Sequence, residues 1–223
     1  MIRVVVAGAA GRMGRLAVSS LQAAADVEVC GTLVRGSDAA AVLELARPDV
    51  LVDFSLAPAS RELGPLAAER GISPVIGTSG LLTGDVAALR AACARARVGG
   101  LLVPNFSMGA VLQMRLAAEI ARHLPPLGIH EVHHTGKRDA PSGTARATAA
   151  ALAAVTGAEV PITSERLPHA LAEQTVDFGR PGERLALVHE ITDRAAYMPG
   201  LLLAVRRVRA LDGLHVGLDG LLG

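Results

Sequence analysis

Residues 2–14, IRVVVAGAAGRMG, constrain the fold more tightly than any other stretch. A short β-branched run stops at Gly8, and three glycines at three-residue spacing, Gly8, Gly11 and Gly14, lead into a segment of helical periodicity. A run this apolar suits a central strand of a parallel sheet, buried on both faces. Glycines in the turn permit positive φ, and they let backbone amides approach a pyrophosphate whose charge the helix N-terminus stabilises. The motif in isolation also fits an ordinary tight turn. Its place in a first strand-to-helix connection favours a dinucleotide site.

The alternation continues along the chain. VEVCGTLV at 27–34, DVLVDFS at 49–55, SPVIGTSG at 73–80 and GGLLVPNFS at 99–107 read as strands, with helical stretches between them. Such regularity predicts a Rossmann-type, doubly wound parallel sheet with helices on both faces. After Ser107 the pattern changes to a long amphipathic helix, a strand GIHEVHH, a second helix SGTARATAAALAAVTG and two alternating strands joined by RPGE. This second half reads as an α+β domain with a mixed or antiparallel open sheet. The division falls at 1–104 and 105–198, and the helical PGLLLAVRRVRAL near the end returns, with 199–223, to the first domain.

Composition narrows the function classes. Aromatic residues are only 2% of a chain that is 51% hydrophobic, so the core is aliphatic and no stacking surface for bases is available. Twenty-two basic and 21 acidic residues are interspersed without a long run of either sign, which argues against a nucleic-acid partner. Cys30 and Cys93 lack metal-type spacing, so neither a metal site nor a disulfide is expected. The N-terminal apolar run is short and broken by glycine, and no stretch approaches a membrane span. A soluble cytoplasmic protein is the expectation.

The chemistry concentrates at EVHHTGKRDAPSGTA, residues 131–145. His133 and His134 are adjacent, so on a strand they point to opposite faces and cannot both ligate one metal. Lys137 follows across a TG turn and can approach either imidazole. Pro141 precedes a helix that Ser142 or Thr144 can cap, and a helix start rich in small residues is an anion site. Each residue alone is better explained by a capped helix after a polar loop, with one histidine in the core. Convergent titratable groups beside an anion-binding turn are the signature of a site.

In the first half, Gly77, Thr78, Asn105 and Phe106 follow strands, at the carboxyl edge where a doubly wound sheet binds its ligand. Arg35 stands after the second strand, where an acidic residue would bind a bare ribose. A cation there suits a 2′-phosphate, and a solvated loop arginine is the alternative.

The segments GAAGRMGR, DFS, GTSG, NFSMG and EVHHTGKRDAPSGTA, in this order and over nearly the whole chain, resemble the 4-hydroxy-tetrahydrodipicolinate reductase (dihydrodipicolinate reductase) family of lysine and diaminopimelate biosynthesis. The resemblance implies His133 as proton donor or acceptor and Lys137 as proton donor, with His134 and the Ser142, Gly143 and Thr144 turn on the substrate's carboxylates. It implies nicotinamide-nucleotide contacts from Gly8, Ala9, Ala10, Gly11, Arg12 and Met13, from Gly77, Thr78 and Ser79, and from Val103, Pro104, Asn105 and Phe106. Arg35 falls where the family meets the NADP phosphate, so NADPH is preferred over NADH. The resemblance also implies a homotetramer; the residues themselves give no reason to expect a metal.

The chain departs from the pattern at Val34, where many members carry an acidic residue, and in shortened segments between Arg35 and Asp53 and after Thr163. Glu131 and Asp139 receive no role. Another two-domain dehydrogenase of the aspartate or homoserine type, or a non-catalytic nucleotide-binding relative, would share the first half but leave the His-His-Lys cluster unexplained. Hydride transfer needs water excluded, so closure of the two domains is expected.

Overall fold

The computed structural model describes residues 1–222. Its first strand is the one the opening motif dictates. β1 (Ile2–Ala7) has Val4, Val5, Val6 and Ala7 all fully buried, and it is flanked on both sides by parallel neighbours. It is followed by α1 (Arg12–Gln22), β2 (Val27–Leu33), α2 (Ala39–Ala46), β3 (Val50–Asp53), α3 (Ala57–Glu69), β4 (Ser73–Ile76), α4 (Thr83–Ala96) and β5 (Gly100–Leu102).

Period-2 alternation feeds two helical layers. Val5, Ala7 and Leu51 pack into a cluster with Leu43 of α2 and Ala67 of α3, while the intervening residues Val4, Val6 and Val52 are equally buried on the other side. Chain order places β2 on one side of β1 and β3 on the other, so the winding reverses between β1 and β3. The carboxyl ends of those two strands are therefore the ligand position of such a sheet.

β1 covers its sequence run, but the next four strands end earlier than theirs suggest, at Leu33, Asp53, Ile76 and Leu102. The residues beyond each end leave the ladder and form the turns at the sheet's carboxyl edge. Phe54, Gly77, Thr78 and Asn105 thus lie on loops rather than within strands.

The second half begins with α5 (Met108–Ala121) and continues through β6 (Pro126–His133), α6 (Gly143–Thr156), β7 (Ile162–Arg166), β8 (Ala172–Arg180) and β9 (Glu183–Ile191). The sheet order is β7-β6-β8-β9, with β6 and β7 parallel and the other pairs antiparallel, so the sheet is mixed. Ile129, Val176 and Phe178 meet Ala117 of α5 and Leu152 of α6 in one aliphatic cluster. The β8–β9 hairpin turns at Pro181 and Gly182, the glycine at φ +89°, as the RPGE signal requires.

β7 has no counterpart in the sequence reading. ITSER carries a single large apolar residue and becomes a strand only through its parallel pairing with Ile129 to His133 of β6. After β9 the chain forms α7 (Met198–Arg207), which packs against α1, and β10 (Leu214–Val216), which adds a sixth parallel strand beside β5. That strand was also unforeseen. It spans three residues between Gly213 and Gly217, both at positive φ.

The chain divides into two compact units, Met1–Phe106 with the segment from Tyr197 onward, and Ser107–Ala196. This division lies two residues from the sequence-based one at each crossing. No described helix is long and apolar enough to cross a membrane.

Candidate active site

In the first unit the glycine turn has the geometry a dinucleotide needs. Gly8 sits at φ +72°, and a Cβ there would lie 2.4 Å from the Phe54 carbonyl oxygen. A Cβ on Gly14 would lie 2.0 Å from the Gly8 carbonyl oxygen, so the helix can pass this close to the turn only without a side chain. Gly11 is the exposed N-cap of α1, its amide donating to Gly8 at 2.9 Å, and no acidic residue occupies the first helical turn.

Ala9 and Met13 are half-buried, while Ala10 and Arg12 are exposed at the same edge. An uncovered helix start with glycines beneath it and a cation in its first turn fits a pyrophosphate. Arg35 lies exposed in the turn that follows β2, where Gly36 adopts φ +86° and the Ser37 hydroxyl accepts from the Val34 amide at 3.0 Å.

Beside the glycine turn, Phe54 and Phe106 form a tilted pair with ring centroids 5.4 Å apart. Gly77 is wedged against both: a Cβ would come within 2.5 Å of the Phe54 ring and 2.7 Å of the Phe106 ring. Thr78 is buried, its hydroxyl donating to the carbonyls of Asp53 at 3.4 Å and Ser55 at 3.3 Å. Ser79 and Pro104 are exposed, and the Val103 amide is used by Ile76 at 2.8 Å. Asp53 is fully buried; one carboxylate oxygen accepts from the Ser55 amide at 2.7 Å, and the other has no hydrogen-bond partner among the described residues. Phe54 carries no role in the sequence reading.

In the second unit the strand alternation decides which side chains converge. Glu131 and His133 are two apart on β6 and face the same side, towards α5 and α6. Glu131 is fully buried, and its Oε2 accepts from the Nδ1 of His133. Its Oε1 accepts from Nη2 of Arg166 at 3.0 Å and from the amide of Ser142 at 3.3 Å.

Burial pushes the Glu131 carboxyl up. Hydrogen bonds from Ser164, Arg166 and His133 outweigh it and leave the carboxyl below its ordinary value. His133 is held below the ordinary histidine value, chiefly by burial and then by the charges of Lys137 and Arg166, with Glu131 pulling the other way.

Ser142 caps α6, its hydroxyl accepting from the Ala145 amide at 3.1 Å, so Gly143 and Thr144 form the first turn at the positive end of the helix dipole. The Lys137 ammonium binds both oxygens of Asp139, at 2.9 and 3.1 Å, and holds that carboxyl below its usual range. His134 lies past the end of β6, its ring over Gly136, where a Cβ would sit 3.2 Å from Nδ1.

Beneath α6 runs a buried polar chain. Gln174 donates to Thr148 at 2.9 Å and to Gln113 at 3.1 Å, Thr148 donates to the Thr144 carbonyl at 2.9 Å, and Gln113 donates to the carbonyls of Gln174 and Leu187. The helix start is thereby anchored from below as well as from Glu131.

The structure thus brings His133, Lys137, Ser142, Gly143 and Thr144 together within one unit, and groups the glycine turn with Gly77, Thr78 and Phe106 within the other. Glu131 carries no role in the sequence reading, and Ser164 and Arg166 were missed as parts of the cluster. The spacing of Glu131 and His133 on a strand is the signal that finds the first of them.

The family model for the N-terminus of dihydrodipicolinate reductase matches residues 2–106, and that for its C-terminus matches residues 109–222. The chain belongs to the dihydrodipicolinate reductase family. It is 42% identical to the 4-hydroxy-tetrahydrodipicolinate reductase of Moorella thermoacetica, over 99% of this chain and 98% of that one. It is 36% identical to the enzyme of the same name from Coxiella burnetii strain Dugway, over 99% of both. Among solved structures, dipicolinate-bound dihydrodipicolinate reductase from Paenisporosarcina sp. TG-14 superposes with a TM-score of 0.90 at 28% identity, covering the whole of both chains. Membership in this reductase family agrees with the mixed sheet and the parallel sheet described above.

Proposed function

We propose that the protein reduces 4-hydroxy-tetrahydrodipicolinate to tetrahydrodipicolinate with a nicotinamide cofactor, in lysine and diaminopimelate biosynthesis. The observation that carries this reading is the cluster on β6 and α6: an imidazole fixed by a buried carboxylate, with an ammonium and an anion-binding helix start beside it. When bound, the cofactor supplies a hydride. Loss of the 4-hydroxyl as water, with gain of that hydride and one proton, balances the conversion to tetrahydrodipicolinate.

The chain's own residues supply the rest. Nδ1 of His133 is committed to Glu131, so Nε2 is the atom that carries or accepts the reaction proton. Lys137 is the second proton source, and its charge favours a dicarboxylate nearby. His134, the Ser142 cap and the amides of Gly143 and Thr144 hold the carboxylates through charge-assisted bonds. Gly8, Ala9, Ala10, Gly11, Arg12 and Met13 cradle the pyrophosphate, and Gly77, Thr78, Ser79, Val103, Pro104, Asn105 and Phe106 line the nicotinamide side.

Two finer points follow from single features. Arg35, exposed and without an acidic neighbour at Val34, favours NADPH over NADH. Arg35→Ala is expected to lower kcat/KM for NADPH by about tenfold, the scale of one charge-assisted phosphate contact, and to leave NADH unchanged. Equal losses with both cofactors would remove Arg35 from this role. The helix-free face of the four-stranded sheet, where Val188 is exposed, is the surface through which a homotetramer would form.

Turnover decides the main reading. Freshly generated substrate added to enzyme and NADPH should cause a steady loss of reduced-nicotinamide absorbance. Cofactor binding without turnover would instead support a non-catalytic relative. A dehydrogenase of the aspartate or homoserine type is disfavoured, because family models for both halves match and the His133 to Thr144 cluster is present.

A further inference from the structure

We infer that Glu131, clamped by Arg166, is the positioning residue that fixes the orientation and tautomer of His133 and ties the imidazole to the start of α6; this rests on the reductase reading above. One fully buried carboxylate serves both groups. Oε2 accepts from Nδ1 of His133, and Oε1 accepts from the Ser142 amide at 3.3 Å, immediately before Gly143 and Thr144. A shift of Glu131 therefore moves the proton-carrying ring and the carboxylate-binding turn together.

Arg166 keeps Glu131 in place and ionised. Its Nη2 bonds Oε1 at 3.0 Å and also donates to the Asp139 carbonyl at 2.7 Å, so it clamps the loop that carries Lys137 as well. Parallel pairing of β6 with β7 sets this up, since Glu131 lies opposite Ser164 and His133 opposite Arg166 in register.

With Nδ1 donating to a carboxylate, the neutral ring holds its lone pair on Nε2, and protonation there is stabilised by the adjacent negative charge. A carboxylate that orients an imidazole in this way, without itself exchanging protons, is worth large factors in kcat elsewhere.

The charged groups that face His133 are Glu131 on its own strand, Arg166 on β7 and Lys137 on the loop, the last balanced by Asp139, near which Arg146 of α6 also stands; α6 otherwise presents the uncharged Ser142. Removing the two members of the clamp must therefore act on His133 with opposite sign. Glu131→Gln takes away negative charge, and Arg166→Met takes away positive charge and leaves the carboxylate free to attract a proton.

The test is the NMR titration of the His133 imidazole in the ligand-free full-length protein, alongside steady-state kinetics. Glu131→Gln should move the titration to lower pH and Arg166→Met to higher pH, with Arg166→Lys returning most of the way to wild type. Both inactivating variants should lower kcat on the order of 10²-fold, with a smaller change in KM. Shifts of the same sign, or no shift with an intact fold, would overturn the positioning role, because a merely structural contact would not split them. If Glu131→Gln fails to fold, the Arg166 pair still decides the sign. The titration needs no turnover, so failure of the reductase reading would show in wild-type kinetics and leave this result separately legible.

Discussion

Replacing His133 by alanine is expected to lower kcat by about 10²–10⁴-fold and to leave NADPH binding unchanged, the range for loss of a positioned acid or base. The expectation follows from where the ring is held. Its Nδ1 is spent on Glu131, so only Nε2 can meet substrate; His130 of the same strand, paired with Glu165 at 3.3 Å, lies on the opposite face. His189, another partly buried imidazole of the unit, faces the Ser107 hydroxyl at 3.1 Å and is also held below the ordinary value by burial. Among the described residues no carboxylate is paired with it.

The pH dependence gives the sign of the argument. Burial, then the charges of Lys137 and Arg166, keep His133 below the ordinary histidine value in the ligand-free protein, with Glu131 opposing. A donor must be protonated, and a bound dicarboxylate adds negative charge that raises the ring's proton affinity. Wild-type kcat should accordingly fall as pH rises through the value of His133 in the substrate complex, and the alanine variant should lose that limb. Lys137→Ala should also lose activity, with KM rising more than in the histidine variant, because its ammonium both donates and attracts the carboxylates. A His133→Ala enzyme with wild-type kcat and an unchanged pH profile would end the assignment.

Much of this was legible in the chain because local rules and global fold agree. The β-branched run at 2–7 could only be a buried strand, and the glycines after it could only be a turn into a helix; both formed where their spacing placed them. The RPGE turn and the Ser142 cap were equally local. What stayed hidden depends on pairing across distance. β7 is polar at most positions and exists because β6 offers it a parallel edge, so Arg166 reaches Glu131 across 35 residues of sequence with no local signal. β10 is too short to show a period at all. The Phe54 and Phe106 pair converges on Gly77 only once three strands have been laid side by side. Glu131 was the one hidden residue that alternation alone could have assigned, since a residue two before His133 on a strand must share its face.

Gly14→Ala is expected to weaken NADPH binding by tenfold or more and to destabilise the first unit by roughly 1–3 kcal/mol, the usual cost of overpacking. Helix propensity alone predicts the opposite sign, because alanine is favoured over glycine inside a helix by about 0.5–1 kcal/mol. Geometry decides against it. The added Cβ would lie 2.0 Å from the Gly8 carbonyl oxygen and 2.7 Å from Cα of Ala9, and both are backbone atoms of the turn itself. They can give way only by opening the turn, which moves the amides that would meet the pyrophosphate. Gly84→Ala is the matched control: the residue lies in α4, nothing comes within 4 Å of its added Cβ, and stability should rise slightly. At about 2–4 °C per kcal/mol for a chain of this size, the two variants should separate in Tm in opposite directions. The His133 titration, which depends on groups in the second unit, should be unmoved in Gly14→Ala. Wild-type affinity for NADPH in that variant, with Tm unchanged, would show that the glycine turn does not form the nucleotide site.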